Sequence, residues 1–271
     1  MTKLRTTVLM IAVVALVAMP AFAFEGLMAQ TPRMDATGGA FTSVSVDETA
    51  SSNNPAGLPL LQTFGTTVSP WPSRASLNVL VDGPADIDMY SAFYAGRSSD
   101  NTTGWGATYS HLENDADTDN LALGYGQRIG EGLTAGLAVA HMSNGDDATS
   151  FNLGGIYRRE IALNAWRFGL LARDLADEYG GPFVDLGAAV ELPVGVDVAA
   201  TLFDVTDEVD SRLAIGAEWD VPMTEFIVRA GNNDGDFSAG AAYQWSNFEL
   251  GVAWMDRAND DWFTAGVTGS F

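Results

Sequence analysis

Phe237-Ser238-Ala239-Gly240-Ala241-Ala242-Tyr243-Gln244-Trp245 decides the fold of this chain. Phe237, Ala239, Ala241, Tyr243 and Trp245 share one parity, and Ser238, Gly240, Ala242 and Gln244 the other. The pattern returns at once with Phe248, Leu250, Val252 and Trp254, and again with Phe263, Ala265, Val267 and the terminal Phe271. Side chains alternate across a strand, so each segment presents one apolar and one small or polar face. Aromatic residues near the ends of the apolar face suit a strand whose outer side meets lipid and whose inner side meets water. A bilayer accepts strands only in a closed barrel, because an open edge leaves backbone groups unpaired in hydrocarbon.

Working outward, the alternation extends back to Arg74. It predicts strands over about fourteen segments: 75–82, 86–97, 102–113, 119–129, 132–143, 148–158, 162–174, 181–192, 195–206, 211–220, 224–233, 236–245, 247–257 and 261–271. The fold class expected is all-β, a transmembrane antiparallel barrel spanning 74–271. An even strand number puts both barrel ends on one side of the membrane. The connections agree. After even-numbered strands they are tight or uncharged on balance, as at Gly130-Glu131-Gly132, Pro193-Val194-Gly195 and Ser246-Asn247. After odd-numbered strands they carry acids: Asp115, Asp117, Asp119; Asp146, Asp147; Asp204, Asp207, Glu208, Asp210. This sorting predicts periplasmic termini and a negatively charged outer rim.

Parity assigns faces. Leu121, Leu123, Tyr125, Phe168, Leu170, Leu213, Ile215 and Trp219 should face lipid. The opposite face is rich in glycine and alanine but holds Arg128, Arg167, Arg229, Glu218 and Glu249, expected to line or brace the lumen. Buried charges persist mainly when paired, so two readings stand: pairs that fill the lumen, or a polar pore lining.

The N-terminal part differs. Residues 1–23 read as a secretory signal, with Lys3 and Arg5 ahead of an apolar stretch from Val8 to Met19 and a small-x-small site at Ala21-Phe22-Ala23. That stretch is shorter than the ~20 residues of a spanning helix. Residues 24–73 lack sustained alternation and hold five of the ten prolines: Pro32, Pro55, Pro59, Pro70 and Pro72. In this region Thr37-Gly38-Gly39-Ala40-Phe41 leads to Asp47-Glu48-Thr49-Ala50-Ser51-Ser52-Asn53-Asn54-Pro55-Ala56-Gly57-Leu58. Asn54 is held extended by the proline that follows and can bond its own backbone; Pro55 fixes the bend; Gly57 permits a turn that a side chain would block.

This stretch resembles the start of the FadL-type superfamily of outer-membrane long-chain fatty-acid transporters and related secretion-system barrels. There a glycine-rich stretch and an acidic segment precede an Asn-Pro-Ala-Gly turn. The resemblance implies that 24–73 folds into the barrel as a hatch seated by Asn54, Pro55, Ala56 and Gly57. It also implies that small hydrophobic solutes pass an outer-membrane barrel. It does not extend to the long outer loops of the family, for which this chain has no counterpart.

Composition narrows the partners. The chain has 35 acids against 13 bases, Lys3 being its one lysine, and a formal net charge of −22. Nucleic acid and anionic lipid both require basic surface, so neither is expected as a ligand. An acidic, lysine-poor surface fits either a saline habitat or divalent-cation bridging to envelope or surface-layer proteins, and a structural or interaction barrel is the alternative function. With no cysteine there is no thiolate metal site or Cys nucleophile, and no cofactor is expected. Asp115-x-Asp117-x-Asp119 lacks the glycine and terminal glutamate of a calcium loop.

A third reading is enzymatic. His141-Met142-Ser143-Asn144 resembles the His-x-Ser-Asn motif of outer-membrane phospholipase A and barrel lipid A deacylases. Positions i and i+2 put His141 and Ser143 on one outward face, where a histidine can take a serine proton if a third group orients its ring. Parity sends Asn152, a candidate for that role, to the lumen side. An interfacial histidine followed by an ordinary turn is the plainer reading, and the chain is expected not to be an enzyme.

Overall fold

The computed structural model describes residues 30–64, 72–83, 87–113, 117–144, 147–178, 181–206, 211–257 and 260–271. The expected signal at 1–23 lies outside the described residues. Fourteen strands follow one another: β1 (Ser73–Gly83), β2 (Ile87–Arg97), β3 (Thr103–Glu113), β4 (Thr118–Gly130), β5 (Leu133–Ser143), β6 (Asp147–Ile161) and β7 (Asn164–Arg173). Then come β8 (Phe183–Leu192), β9 (Val196–Phe203), β10 (Arg212–Asp220), β11 (Phe226–Asn233), β12 (Asp236–Trp245), β13 (Phe248–Arg257) and β14 (Asp260–Ser270).

Every strand pairs antiparallel with its sequence neighbour, and β1 closes the barrel on β14 through pairs running from Arg74↔Ser270 to Val81↔Phe263. Closure leaves no unpaired edge, which is the condition a bilayer imposes on strands. The fourteen segments read from the alternation all recur, with ends shifted by at most three residues.

The faces follow parity. Forty large apolar side chains are exposed among the described residues. Leu121, Leu123, Tyr125, Phe168, Leu170, Leu213, Ile215 and Trp219 are among them, as are Phe237, Tyr243 and Trp245 of the decisive stretch. So much outward apolar surface on a closed barrel is the surface of a membrane-embedded protein. The inward parity carries Ala122, Ala138, Ala189, Ala242 and Ala253, all buried, interleaved with glycines.

Loop length does not separate the two ends of the barrel. Among the connections after odd-numbered strands, the one between β11 and β12 is only Asp234-Gly235, at φ 52° and 104°. After even-numbered strands, 98–102 and 221–225 each bridge a wider gap. An Asp-Gly pair with positive φ at both positions matches the twist of a tight hairpin, so this connection needs no extra length.

Residues 30–64 lie within the ring of strands. A single helical turn, α1 (Pro32–Ala36), is capped by Thr31, whose side chain accepts from Met34 N. Two 3-10 turns follow. Asp47 caps Glu48–Ser51 and Asn54 caps Pro55–Leu60, each accepting a backbone N–H two residues on. Short turns joined by irregular chain have few backbone partners of their own, and the barrel wall supplies many of the rest. Ser91 Oγ donates to Gln30 O at 2.8 Å, Ser238 Oγ to Ala36 O at 3.1 Å, and Thr201 Oγ1 accepts from Thr42 N at 3.3 Å.

Candidate functional site: the filled lumen and its two mouths

The wall receives the inner segment through missing side chains. A Cβ on Gly136 would sit 2.3 Å from the Pro55 carbonyl carbon, and one on Gly154 would sit 2.0 Å from Asn54 Oδ1. Gly136 thus admits the backbone of Pro55 and Ala56, and Gly154 the buried side chain of Asn54. Within the segment, a Cβ on Gly57 would fall 1.5 Å from Ser45 O. Asn54, wholly buried, accepts from Ala56 N through Oδ1 at 3.2 Å and donates through Nδ2 to Thr42 O at 2.7 Å. Its backbone is extended (φ −141°, ψ 100°) ahead of Pro55. Asn54, Pro55, Ala56 and Gly57 thus form one buried corner against β4, β5 and β6.

Charges fasten the opposite side. Arg33 bonds Asp47 Oδ2 at 2.7 Å and Glu218 Oε2 at 2.9 Å. Arg229 bonds the same Glu218 oxygen at 2.5 Å and Glu249 Oε1 at 3.0 Å, and Gln244 donates to Glu249 at 3.1 Å. A second pair, Arg74 and Glu48, approaches to 2.7 Å. Glu218 lies directly across from Arg229 in the β10–β11 ladder. Each buried ion of this set has an opposite charge in reach, which offsets the several kcal/mol that desolvation costs per ion.

Of the lumen residues expected from the sequence, Arg229, Glu218 and Glu249 meet in this one network. Arg167 lies apart, bonded to Asp197 at 2.9 Å. Arg128 is exposed at the end of β4, two residues before the turn, and faces a cleft instead of a charged partner. Arg33, Asp47, Glu48 and Arg74, absent from the sequence-based set, complete the contacts. Asp47 and Glu48 stand in the acidic stretch of the N-terminal segment and Arg33 is a charge within it, whereas Arg74 lies at the start of β1.

Around Arg33 and Phe41 the space left between segment and wall is small. Cavities of about 10 Å³ beside Arg74 and Glu249, and about 20 Å³ beside Phe41 and Glu218, hold roughly a water molecule each. Apolar packing fills the sector at Phe41 and Val44 against Ala189, Ala199 and Ala214.

The two mouths differ chemically. Toward the connections that follow odd-numbered strands, Leu80, Met89, Leu112, Met255 and Trp262 form a buried apolar cluster. They come from five neighbouring strands and point inward, gathering at one mouth the large apolar side chains that elsewhere on the inner wall, as at Phe93, Ile156 and Ile227, are more scattered. Parity alone marks them, since Trp262 lies between outward Asp261 and Phe263. At the other mouth, Arg97, Arg128 and Arg158 border a cleft of about 410 Å³ against residues 59–63.

The outer-wall motif does not assemble as a triad. His141 Nδ1 lies 2.9 Å from Thr149 Oγ1 across the β5–β6 ladder, and Ser143 pairs with Asp147 and Asp119 on its two sides. Asp119 itself is taken by Tyr109 at 2.7 Å and His111 at 3.0 Å. Asn152 faces inward and accepts from Asp174 N. Among the described residues, no group of three or more His, Asp or Glu side chains is arranged to hold a metal ion.

No protein-family model and no curated protein sequence matches the chain. Solved structures do share its fold. The monoaromatic hydrocarbon channel CymD aligns with a TM-score of 0.56 at 11% identity, over 91% of this chain and 98% of that one. The Ralstonia pickettii toluene transporter TbuX aligns with a TM-score of 0.59 at 10% identity, over 90% of this chain and 98% of the other. At 11% and 10% identity these likenesses show the fold alone, the antiparallel barrel expected from the sequence.

Proposed function

We propose that this chain is an outer-membrane barrel that passes small hydrophobic solutes, with residues 30–64 as a displaceable hatch. The observation that carries the reading is the inward apolar cluster of Leu80, Met89, Leu112, Met255 and Trp262 at one mouth of the lumen. These side chains are buried at rest, so an apolar solute meets the soft thioethers and the indole as the cluster parts. The shared fold of a hydrocarbon channel and a toluene transporter supports the same reading. With cavities of only about 10 and 20 Å³ beside the charged network, transit along that side requires the hatch to shift.

The test is uptake of a labelled alkylbenzene by intact cells whose outer membrane excludes it. Expression of this chain should raise the initial rate several-fold over the empty vector, and Trp262→Ala should remove most of the gain. Equal rates with and without the chain would dismiss passage.

The packed lumen favours a second reading, a structural barrel whose acidic outer rim meets envelope or surface-layer proteins through divalent cations. That reading predicts associations that a chelator releases, and no dependence of uptake on the chain.

A further inference from the structure

The inward arginines of the barrel fall into two groups. Arg167, Arg173 and Arg229 each have a carboxylate within 3.0 Å. Arg97, Arg128 and Arg158 have no carboxylate within ion-pair distance among the described residues. Arg97 is held by neutral oxygens, donating from Nε to Leu61 O at 2.7 Å and bonding Asn101 Oδ1. Arg128 and Arg158 use their backbone N–H groups in the ladder ends, at Thr102 O and Gly132 O, and leave both guanidiniums uncommitted.

These three come from β2, β4 and β6, each close to the connection that follows its strand, so successive hairpins deliver them to one place. Together with Pro59, Leu60 and Asn101 they border the cleft of about 410 Å³. A smaller space of about 200 Å³, bordered by Leu60, Arg128 and Arg158 and also by Arg159 and Glu160, adjoins it. In a chain with 13 bases against 35 acids, a cleft bordered by three arginines and, among the described residues, by no acid is a marked concentration of positive charge. Like charges repel, and an anion placed among them removes the repulsion. Guanidinium forks match the geometry of carboxylate and phosphate oxygens.

We infer that this mouth of the barrel is a binding site for a small organic oxyanion, a carboxylate or phosphate whose apolar part lies on Pro59 and Leu60. Arg128 and Arg158 supply the charged hydrogen bonds, and Arg97, fixed by Leu61 O and Asn101, shapes the wall. The cleft is within the ~300–1,000 Å³ range of small-molecule sites. Because residues 59–62 belong to the inner segment, an occupant touches the segment and the wall at once. The site stands on the barrel geometry alone and does not depend on solute passage.

Calorimetric titration of the purified barrel in a neutral maltoside detergent tests this, with phenyl phosphate, benzoate and inorganic phosphate as probes. Saturable binding of phenyl phosphate or benzoate is expected, tighter than inorganic phosphate. Arg128→Gln/Arg158→Gln should weaken it by about tenfold or more, through loss of two charge-assisted contacts. Gln127→Ala, an exposed outward neighbour on β4 that borders neither space, should leave it within about twofold. Heat-modifiable mobility on gels shows that each variant remains a folded barrel. Repeating the titration in nanodiscs with and without phosphatidylglycerol identifies the source. Competition by that lipid assigns the site to a headgroup phosphate, and its absence to a soluble anion. Wild-type protein with no saturable binding of any probe, or a folded double variant that binds as wild type does, overturns the inference.

Discussion

Arg33 Nε donates to Glu218 Oε2 at 2.9 Å across 185 residues of sequence, joining the inner segment to the wall of the barrel. The same carboxylate accepts from Arg229. One acid therefore compensates two buried cations, and the segment cannot leave without exposing all three charges or breaking the set.

Removing Glu218 should accordingly cost more than a surface ion pair. Glu218→Ala leaves Arg33 and Arg229 facing each other with only Asp47 and Glu249 in reach. A broken buried pair costs about 3–5 kcal/mol, against less than about 1 kcal/mol for an exposed one. Urea unfolding of the barrel in lipid vesicles is the measurement. A loss below about 1 kcal/mol would mean that the network is hydrated and the segment only loosely held.

The position of the segment can be fixed covalently. Ser51 Oγ and Thr108 Oγ1 lie 2.6 Å apart, one on the segment and one on β3. Side chains this close put their Cβ atoms near the ~3.5–4.5 Å that a disulfide needs, and the chain has no cysteine to compete. Ser51→Cys/Thr108→Cys should form an intramolecular disulfide in nearly all folded molecules under mild oxidant, seen as a reductant-sensitive mobility shift. If the hatch must move for passage, the locked protein should lose alkylbenzene uptake and regain it on reduction. Uptake that is indifferent to the lock would confine the segment to bracing.

The glycine seat gives a complementary perturbation. Gly136→Val adds atoms where the Pro55 carbonyl carbon already lies 2.3 Å from an ideal Cβ. Backbone cannot retreat as a flexible side chain does, so the corner at Asn54 to Gly57 should be displaced while the outward face of β5 is unchanged. Limited proteolysis should then cut within 30–64 at a rate well above wild type. Planar-bilayer recordings should show raised conductance, approaching that of a deletion of residues 24–72. Unaltered conductance in both proteins would remove the segment as the barrier.

What the sequence disclosed and what it withheld follow from one physical distinction. Lipid outside and closure inside impose a period of two, so Phe237, Tyr243 and Trp245 announce their face locally. The relation between Arg33 and Glu218 has no period: it joins an irregular segment to a strand through space. Likewise Arg128 has the parity of a lumen residue, but its place two residues from the end of β4 puts it at the mouth, where a shift of ~2 residues in a strand boundary decides its surroundings. Trp262 and Met255 were readable as inward by parity, yet the lipid-facing aromatics around them carried the stronger signal. The pair His141 and Ser143 shows what parity leaves open. Spacing of i and i+2 brings His141 and Ser143 to one face but says nothing about which neighbour takes the ring nitrogen, and Thr149 does.

A carboxylate in a turn offers a pH test outside the membrane. Asp100 Oδ1 accepts from Ser98 Oγ at 2.6 Å, Thr102 Oγ1 at 2.8 Å and Thr102 N at 3.1 Å, and these bonds hold its carboxyl down at about 2. The folded value lies below the ordinary 3.8. The charged form is the one bonded, so the turn's support is complete above the ordinary value and is lost as pH falls through about 2. Carbon-detected titration of the Asp100 carboxyl in the micelle-bound barrel should find its midpoint well under that of an unstructured aspartate. Ser98→Ala should move the midpoint upward by removing the first of the three bonds. A midpoint near 3.8 in the wild type would mean that solvent replaces these contacts and that the connection between β2 and β3 is not ordered by Asp100.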